Sequence, residues 1–385
     1  MERNILKKVG ILAFGGKNTG GIYQYTQSII DALKEDITKE YVIFCNIDDN
    51  RFDQCGLEIR KVKHKKNSIF KNIVNALQLL FFVRKPYFFT KKELEIFGDI
   101  DIFLSPAISA YPHFYLNKPF VFTLHDMQER YYPEFFSKIV LLKRWLNNRA
   151  LSKSAFKIIC ESNFVKNDIV KYTGVDEQKI KIIQSPPPEE FLNYTFSKEQ
   201  IQVVKEKYKL PEKYIFYPAQ CWFHKNHIKL IEAFEIVSKQ NPDIELILTG
   251  SQQNNYKNLM KRIVELNLQD RVRHLGYIDY ADLPYFYKMS QFLVMPTLFE
   301  SVSIPIYEAF SLEVAVCCSN VVALPEQVGD AGLIFDPHDI EDMAEKMLLY
   351  LNNEDLLSEK AKLGFLKVRE FNHSMYKERL IEVLK

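Results

Sequence analysis

The amino-acid sequence predicts an α/β protein of two Rossmann-like, doubly wound domains facing an interdomain cleft, and three observations lead there. Short apolar runs alternate with segments of helical period along the whole chain, the pattern of βαβ units and parallel sheets. At 385 residues the chain is longer than one hydrophobic core usually organises. The run Pro186-Pro187-Pro188, followed by Glu189 and Glu190, continues neither a helix nor a strand, so it reads as a hinge between two series of strands.

In the first series the strand candidates are VGILAF from Val9, YVIFCNI from Tyr41, IFLSPA from Ile102, FVFTLH from Phe120, KIICES from Lys157 and KIKIIQS from Lys179. In the second they are YIFYPA from Tyr214, ELILTG from Glu245, VRHLGYI from Val272, FLVMPT from Phe292, VAVCCSN from Val314 and GLIFDP from Gly332. Between them lie segments such as IKLIEAFEIVSKQ from Ile228, apolar at three- and four-residue spacing. The expected boundaries are 1–188 and 189–369, with a final helix over about 370–385 returning to the first domain. Ligands of doubly wound sheets bind at the carboxyl ends of the strands, and His125, Lys225 and Glu300 each follow a strand candidate.

Composition narrows the class. A hydrophobic fraction of 47% with 26% charged residues describes a soluble globular protein, and a net charge of +2 gives no bulk attraction to nucleic acid. The six cysteines form no C-x-x-C pair and no Cys/His metal spacing, so free buried thiols in a reducing compartment are expected. The opening MERNILKKVGILAFGG has too short an apolar run for a signal peptide, and no stretch approaches the roughly 18–20 apolar residues of a membrane span. The expected location is cytoplasmic, or the inner face of the cytoplasmic membrane.

The block from Glu300 to Glu308, ESVSIPIYE, carries the most chemistry. It follows an apolar strand candidate and reads as a loop bearing one carboxylate, then a helix bearing the second. Ser303 suits the N-cap and Pro305 the first turn. Such a helix start offers unpaired N–H groups and a positive dipole end to a phosphate. Glu308, one turn further in, suits a ribose diol, and Lys225 suits a diphosphate as a point charge. By contrast, AFGGKNTGG (from Ala13) contains neither a phosphate-loop motif nor G-x-G-x-x-G, which argues against an ATPase or an NAD enzyme. Gly20 and Gly21 still let a backbone approach a ligand closely, near donor phosphates or acceptor. Asp99-Ile100-Asp101 stands just before a strand and reads as its solvated entry rather than as a metal site.

The Glu300–Glu308 block, His224-Lys225-Asn226, Leu124-His125-Asp126 and the run LPEQVGDAG from Leu324 together resemble the retaining GT-B glycosyltransferases of family 4. The resemblance covers nearly the whole chain and is most specific from Tyr217 to Pro337. It implies an acceptor held mainly by the first domain, a nucleotide-diphosphate sugar held mainly by the second, and transfer with retention and no obligatory metal. Carried onto this sequence, it gives Glu300, His125 and Lys225 as catalytic candidates. The donor set becomes Gly20, Gly21, Gln220, Lys225, Tyr277, Ser301, Val302, Ser303, Ile304 and Glu308. In this picture Glu300 contacts the donor sugar or the reacting face, while His125 bonds the donor sugar or the acceptor hydroxyl without serving as general base.

Five departures stand out. Gln220 occupies a position where many relatives have an arginine, Ser301 and Ser303 stand where glycines are usual, and Glu313 and Ala315 replace a common Gly and Pro. The implied activity is transfer of a hexose-class sugar, such as mannose, glucose, fucose or rhamnose, to a glycan hydroxyl in bacterial surface polysaccharide assembly (O-antigen or capsule). Two alternatives remain open at this point: a sugar-nucleotide epimerase of the same fold, and a non-catalytic sugar-nucleotide-binding subunit. Finally, the basic run Arg60–Lys66 and the apolar helix-period segment Ile69–Lys85 read either as a membrane-facing surface suited to a lipid-linked glycan acceptor, or as a core helix beside a solvated loop.

Overall fold

A computed structural model describes residues 7–14, 21–63, 68–108, 110, 113–371 and 373–385. The chain divides into two compact units, Met1–Ser185 with His373–Lys385, and Pro186–Asn372.

The N-terminal unit runs β1 (Lys8–Leu12), α1 (Gly21–Leu33), β2 (Glu40–Asn46), β3 (Glu58–Val62), α2 (Ile69–Leu80) and α3 (Lys91–Phe97). It continues through β4 (Ile102–Ser105), β5 (Phe120–Thr123), α4 (Lys138–Ser154), β6 (Lys157–Cys160), α5 (Asn163–Thr173) and β7 (Ile180–Ile182). Its seven strands form one parallel sheet in the order β3-β2-β1-β4-β5-β6-β7. The inner strands β4 and β5 are buried along their whole length, as parallel strands covered on both faces must be. Gly10 in β1 is required by packing: a Cβ there would lie 2.8 Å from the Phe103 ring and 2.9 Å from Phe44.

The C-terminal unit contains α6 (Glu189–Leu192), α7 (Lys198–Tyr208), β8 (Tyr214–Pro218), α8 (His227–Gln240), β9 (Glu245–Thr249), α9 (Tyr256–Glu265), β10 (Val272–His274) and α10 (Leu283–Met289). After these come β11 (Leu293–Met295), α11 (Ile304–Ser311), β12 (Val316–Ser319), α12 (Leu324–Val328), β13 (Gly332–Phe335), α13 (Ile340–Asn352) and α14 (Glu354–Glu370). Its six strands are also parallel, in the order β10-β9-β8-β11-β12-β13. The last helix, α15 (His373–Val383), belongs to the N-terminal unit. There Tyr376, Leu380, Val383 and Leu384 are buried in one cluster with Val9, Ile11, Ile29 and Ile30.

Each of the twelve apolar runs expected as strands contains one. The sequence reading missed β3. It read Arg60–Lys66 as a basic run, either membrane-facing or in a solvated loop, whereas Glu58–Val62 forms an edge strand paired with Val42–Asn46. Arg60 reaches from that edge to both carboxylate oxygens of Asp99, and Lys8 approaches the same group at 2.9 Å. The Arg60 guanidinium holds the Asp99 carboxyl well below the usual range. Asp101 accepts the Lys8 backbone N–H at 2.8 Å. The Asp-Ile-Asp sequence therefore ties three strand starts together.

In both sheets the strand order reverses beside the first strand, between β1 and β4 and between β8 and β11. Such reversal points open a crevice at the carboxyl ends of the strands.

Candidate functional site

The β8–β11 reversal in the C-terminal unit gathers most of the expected residues. Leaving β8, the chain turns through Ala219–Trp222, makes a single 3-10 turn at Phe223–Lys225, and enters α8 at Asn226. The neighbouring end of β9 comes so close that a Cβ at Gly250, whose φ is +121°, would lie 2.6 Å from the Ala219 carbonyl oxygen. Asn226 is buried in the left-handed conformation at φ +57°, and its Nδ2 donates to the carbonyls of Pro296 and Pro337, at 2.9 Å each. One amide thus joins the loops that follow β8, β11 and β13. The His224 carbonyl adds two more ties, accepting from the Leu298 N–H at 2.8 Å and the Thr297 hydroxyl at 3.1 Å.

This stitching brings Lys225 and Glu300 together: the ammonium is bonded to the carboxylate, and each side chain is about one-fifth exposed, at 18% and 21%. Each of these partly desolvated groups offsets part of the other's burial.

On the β11 side, α11 begins at Ser303. Ser303 holds the expected N-cap position with Pro305 in the first turn, but its hydroxyl caps nothing and is buried without a hydrogen-bond partner. The expectation of a side-chain cap is corrected by Gln327 of the LPEQVGDAG run. Its Oε1 accepts the Ser303 N–H at 2.9 Å, and its Nε2 donates to the Ser303 carbonyl at 2.8 Å. Held on both sides, the helix start receives no side-chain cap of its own. Ser301, Val302 and Ile304 are half-buried around it.

Glu308 lies one turn into α11 and is 4% exposed. Burial pushes its pKa up to about 7, against the Tyr287 hydroxyl, which donates to Oε2 at 2.6 Å and favours the ionised form; the Glu190 charge adds a smaller upward push. The Tyr280 hydroxyl bonds Glu190 at 2.8 Å, and Tyr277 is 82% exposed.

Gln220 is exposed and engaged with its neighbours: its Oε1 accepts from the Trp222 indole at 3.0 Å and from Gln253 at 3.4 Å. No positive charge replaces the arginine at that point of the turn. His227, sequence-adjacent to the motif, is a packing residue whose ring centroid lies 4.9 Å from that of Tyr217 at a tilt of 39°, and burial pushes its pKa down to about 3.

His125 lies in the N-terminal unit. Its Nδ1 faces Glu161 Oε2 at 3.0 Å and its Nε2 faces the Pro106 carbonyl at 2.8 Å. Each nitrogen thus faces an oxygen acceptor. Burial alone lowers the imidazole pKa, but the Glu161 bond and charge and the Pro106 carbonyl outweigh it, and the net shift is upward. A hydroxyl ligand at either nitrogen has to displace one of these partners. Asp126 caps the next turn through the Gln128 N–H at 3.2 Å and pairs with Arg144 at 2.8 Å. Gly21 opens α1, while Gly20 lies outside the described residues, as do residues 64–67 of the basic segment.

Sequence reasoning missed the working roles of Asn226, Gln327, Tyr287 and Glu161. The first two stood inside quoted motifs; nothing local marks the others. The six cysteines are free, and five are buried. Among the described residues no group of three His, Cys, Asp or Glu could hold a metal ion, and no helix is long and apolar enough to cross a membrane.

Residues 198–364 match the family described as Glycosyl transferases group 1, and residues 19–186 match Glycosyltransferase Family 4. The chain is 26% identical over 268 residues to an Escherichia coli O-antigen chain mannosyltransferase B, covering 68% of this chain and 69% of that protein. It is 24% identical over 324 residues to the O-antigen chain mannosyltransferase RfbU of Salmonella typhimurium strain LT2, covering 84% and 85%. Among solved structures, Anabaena HepE in complex with UDP and glucose superposes with a TM-score of 0.77 at 18% identity, covering 98% of this chain and 99% of that one. At that identity the likeness speaks for the fold.

Proposed function

We propose that this chain, which belongs to the group 1, family 4 glycosyltransferases, transfers a mannosyl residue with retention from a nucleotide-diphosphate donor to a glycan hydroxyl in O-antigen assembly. The choice of sugar and product is supported by the two O-antigen mannosyltransferases it resembles. A nucleotide-sugar donor is supported by the UDP and glucose of the HepE structure. The observation that carries the reading is the joining of the Lys225–Glu300 pair and the α11 start, with buried Glu308, at one sheet reversal.

In this reading the C-terminal unit holds the donor. Lys225 and the helix start balance the diphosphate, Glu308 accepts from the ribose diol, and Glu300, once released from Lys225, orients the sugar. No metal is needed for that balance. The acceptor is a lipid-linked glycan held by the N-terminal unit. Residues 60–85 then contact the inner face of the cytoplasmic membrane, which suits the exposure of Ile69, Phe70 and Ile73 on α2.

Because both His125 nitrogens are engaged, the acceptor proton is assigned to the departing phosphate oxygen. The acceptor oxygen bonds the anomeric carbon on the face from which the carbon–oxygen bond to diphosphate breaks, and the proton passes to that diphosphate oxygen. Configuration is retained.

A thermal-shift series with GDP-mannose and with UDP-, dTDP- and ADP-sugars tests donor choice, because a donor that binds only the folded state raises the melting temperature. GDP-mannose is expected to stabilise most. NMR of the product then reads the anomer: an inverted linkage sinks the proposed stereochemistry, and stabilisation by none of the sugars sinks the donor site.

A further inference from the structure

The reversal between β1 and β4 in the N-terminal unit opens a cavity of about 790 Å³, larger than anything the donor chemistry requires of that unit. Phe14, just past β1, and Ile108, just past β4, reach it, and it extends between α2 and α4. That volume lies within the range of small-ligand sites.

Its charge is predominantly positive. Lys63, Lys71, Lys85 and Lys143 line it, and none of them pairs with a carboxylate among the described residues. The acid in the lining, Glu93, is spent in the cap of α3, where it bonds the Thr90 N–H and hydroxyl at 2.7 and 2.8 Å. Four like charges around one space repel each other, and an anion bound among them relieves that cost. The rest of the lining mixes the amides of Asn72, Asn75, Gln78 and Asn147 with apolar side chains, with Leu79 and Leu146 buried at its wall and Phe88 under the Lys71 ammonium at 5.5 Å from the ring centroid.

The cavity also continues into an uncovered surface. Tyr87, Ile139 and Leu142 both line it and stand 60%, 80% and 56% exposed. Beyond them α2 exposes Phe70 and Ile73, and α4, packed against it, exposes Val140 and Trp145. An anion-binding hollow that opens onto an apolar rim fits a ligand with both characters in one molecule.

We propose that this cavity binds the phosphate or diphosphate head of a lipid-linked acceptor together with the first apolar carbons of its chain. The inference rests on the transferase reading and deepens it: the acceptor is held by its lipid-phosphate end rather than by its sugars alone. The rim of α2 and α4 meets the rest of the chain.

The test uses the full chain, saturated with GDP to fill the donor site, and farnesyl diphosphate as probe in a calorimetric titration. Inorganic diphosphate and farnesol serve as separate arms. Farnesyl diphosphate is expected to bind at least tenfold tighter than either. The double variant Lys85→Glu/Lys143→Glu, at two exposed positions, is expected to weaken it tenfold or more while GDP binding stays unchanged. Equal binding of inorganic diphosphate would make this a free-anion site, and equal binding of farnesol an apolar groove; either overturns the proposal. So does undiminished probe binding by the variant. Failure of the wild-type protein to bind any nucleoside diphosphate would instead defeat the donor reading and leave the lipid-phosphate result standing.

Discussion

At the β8–β11 reversal hydrogen bonds tie together the loops that follow β8, β11 and β13, whereas the cavity at the β1–β4 reversal is walled by apolar and amide side chains and by lysines that pair with no carboxylate among the described residues. In the first, Asn226, the His224 carbonyl and Gln327 fix the backbone, and the half-buried Lys225 is already balanced by Glu300. In the second, four lysines surround an open volume whose rim is exposed. The same sheet topology thus supports two recognition strategies. A compact, highly charged ligand rewards prior ordering of the groups that meet it, because little entropy is then lost on binding. A long amphiphile is better met by apolar surface that can repack and by charges on flexible stems.

The largest effect should come from breaking the ordered side at its charge. Lys225→Ala is expected to lower turnover by about 10²- to 10³-fold, the scale of losing one preorganised group that stabilises developing charge. Steady-state rates at saturating donor measure it. Retention of full turnover would remove Lys225 from the chemistry. Glu308→Ala should raise the donor Kd roughly 30- to 100-fold, since it removes charge-assisted bonds to the ribose and leaves the buried Tyr287 hydroxyl unpaired. Calorimetry with donor reads this directly, and an unchanged Kd would place the ribose elsewhere.

Acidity sharpens the same point. With its pKa near 7, Glu308 is mostly neutral at pH 6 and mostly ionised at pH 8 in the ligand-free protein. Donor affinity should therefore rise by up to about tenfold across that interval, and Glu308→Gln should flatten the dependence. The folded-state pKa is raised, so Glu308 gives up its proton first in the unfolded chain. Its contribution to the ligand-free protein then declines as pH rises from the ordinary carboxylate range to about 7, and is level above. A donor profile that tightens toward pH 6 would contradict this sign. The smallest effect is a gain: Gln220→Arg, at an exposed position, should tighten donor binding a few-fold by adding a second cation. No tightening would mean that Trp222 and Gln253 hold the turn away from the phosphates.

Strands were legible wherever both faces are buried, because such segments read as near-continuous apolar runs, as in Phe120–Thr123 and Val316–Ser319. EIRKV escaped notice because it is an edge strand with charges at three of its five positions, Arg60 reaching Asp99 outside the sheet. At the site, Lys225 and Glu308 stood in short motifs, but the bond from Lys225 to Glu300 spans 75 positions and cannot be read from spacing. Local chemistry also misled at Ser303. A serine before a helix invites a side-chain cap, yet Gln327, 24 residues later, took over its backbone. For α2 the sequence shows an apolar stripe and is silent on whether anything covers it. The structure leaves most of that stripe exposed, against the reading of a core helix.

The placement of α15 sets an order of events during synthesis. Tyr376, Leu380, Val383 and Leu384 fill the same cluster as Val9 and Ile11, so the first sheet to emerge from the ribosome lacks part of its own interior. Residues 186–372 have everything their core needs before residue 373 appears. The later-made unit is thus positioned to fold first. The earlier one stays incomplete until about 190 further residues have been made, a reversal of the usual N-to-C sequence.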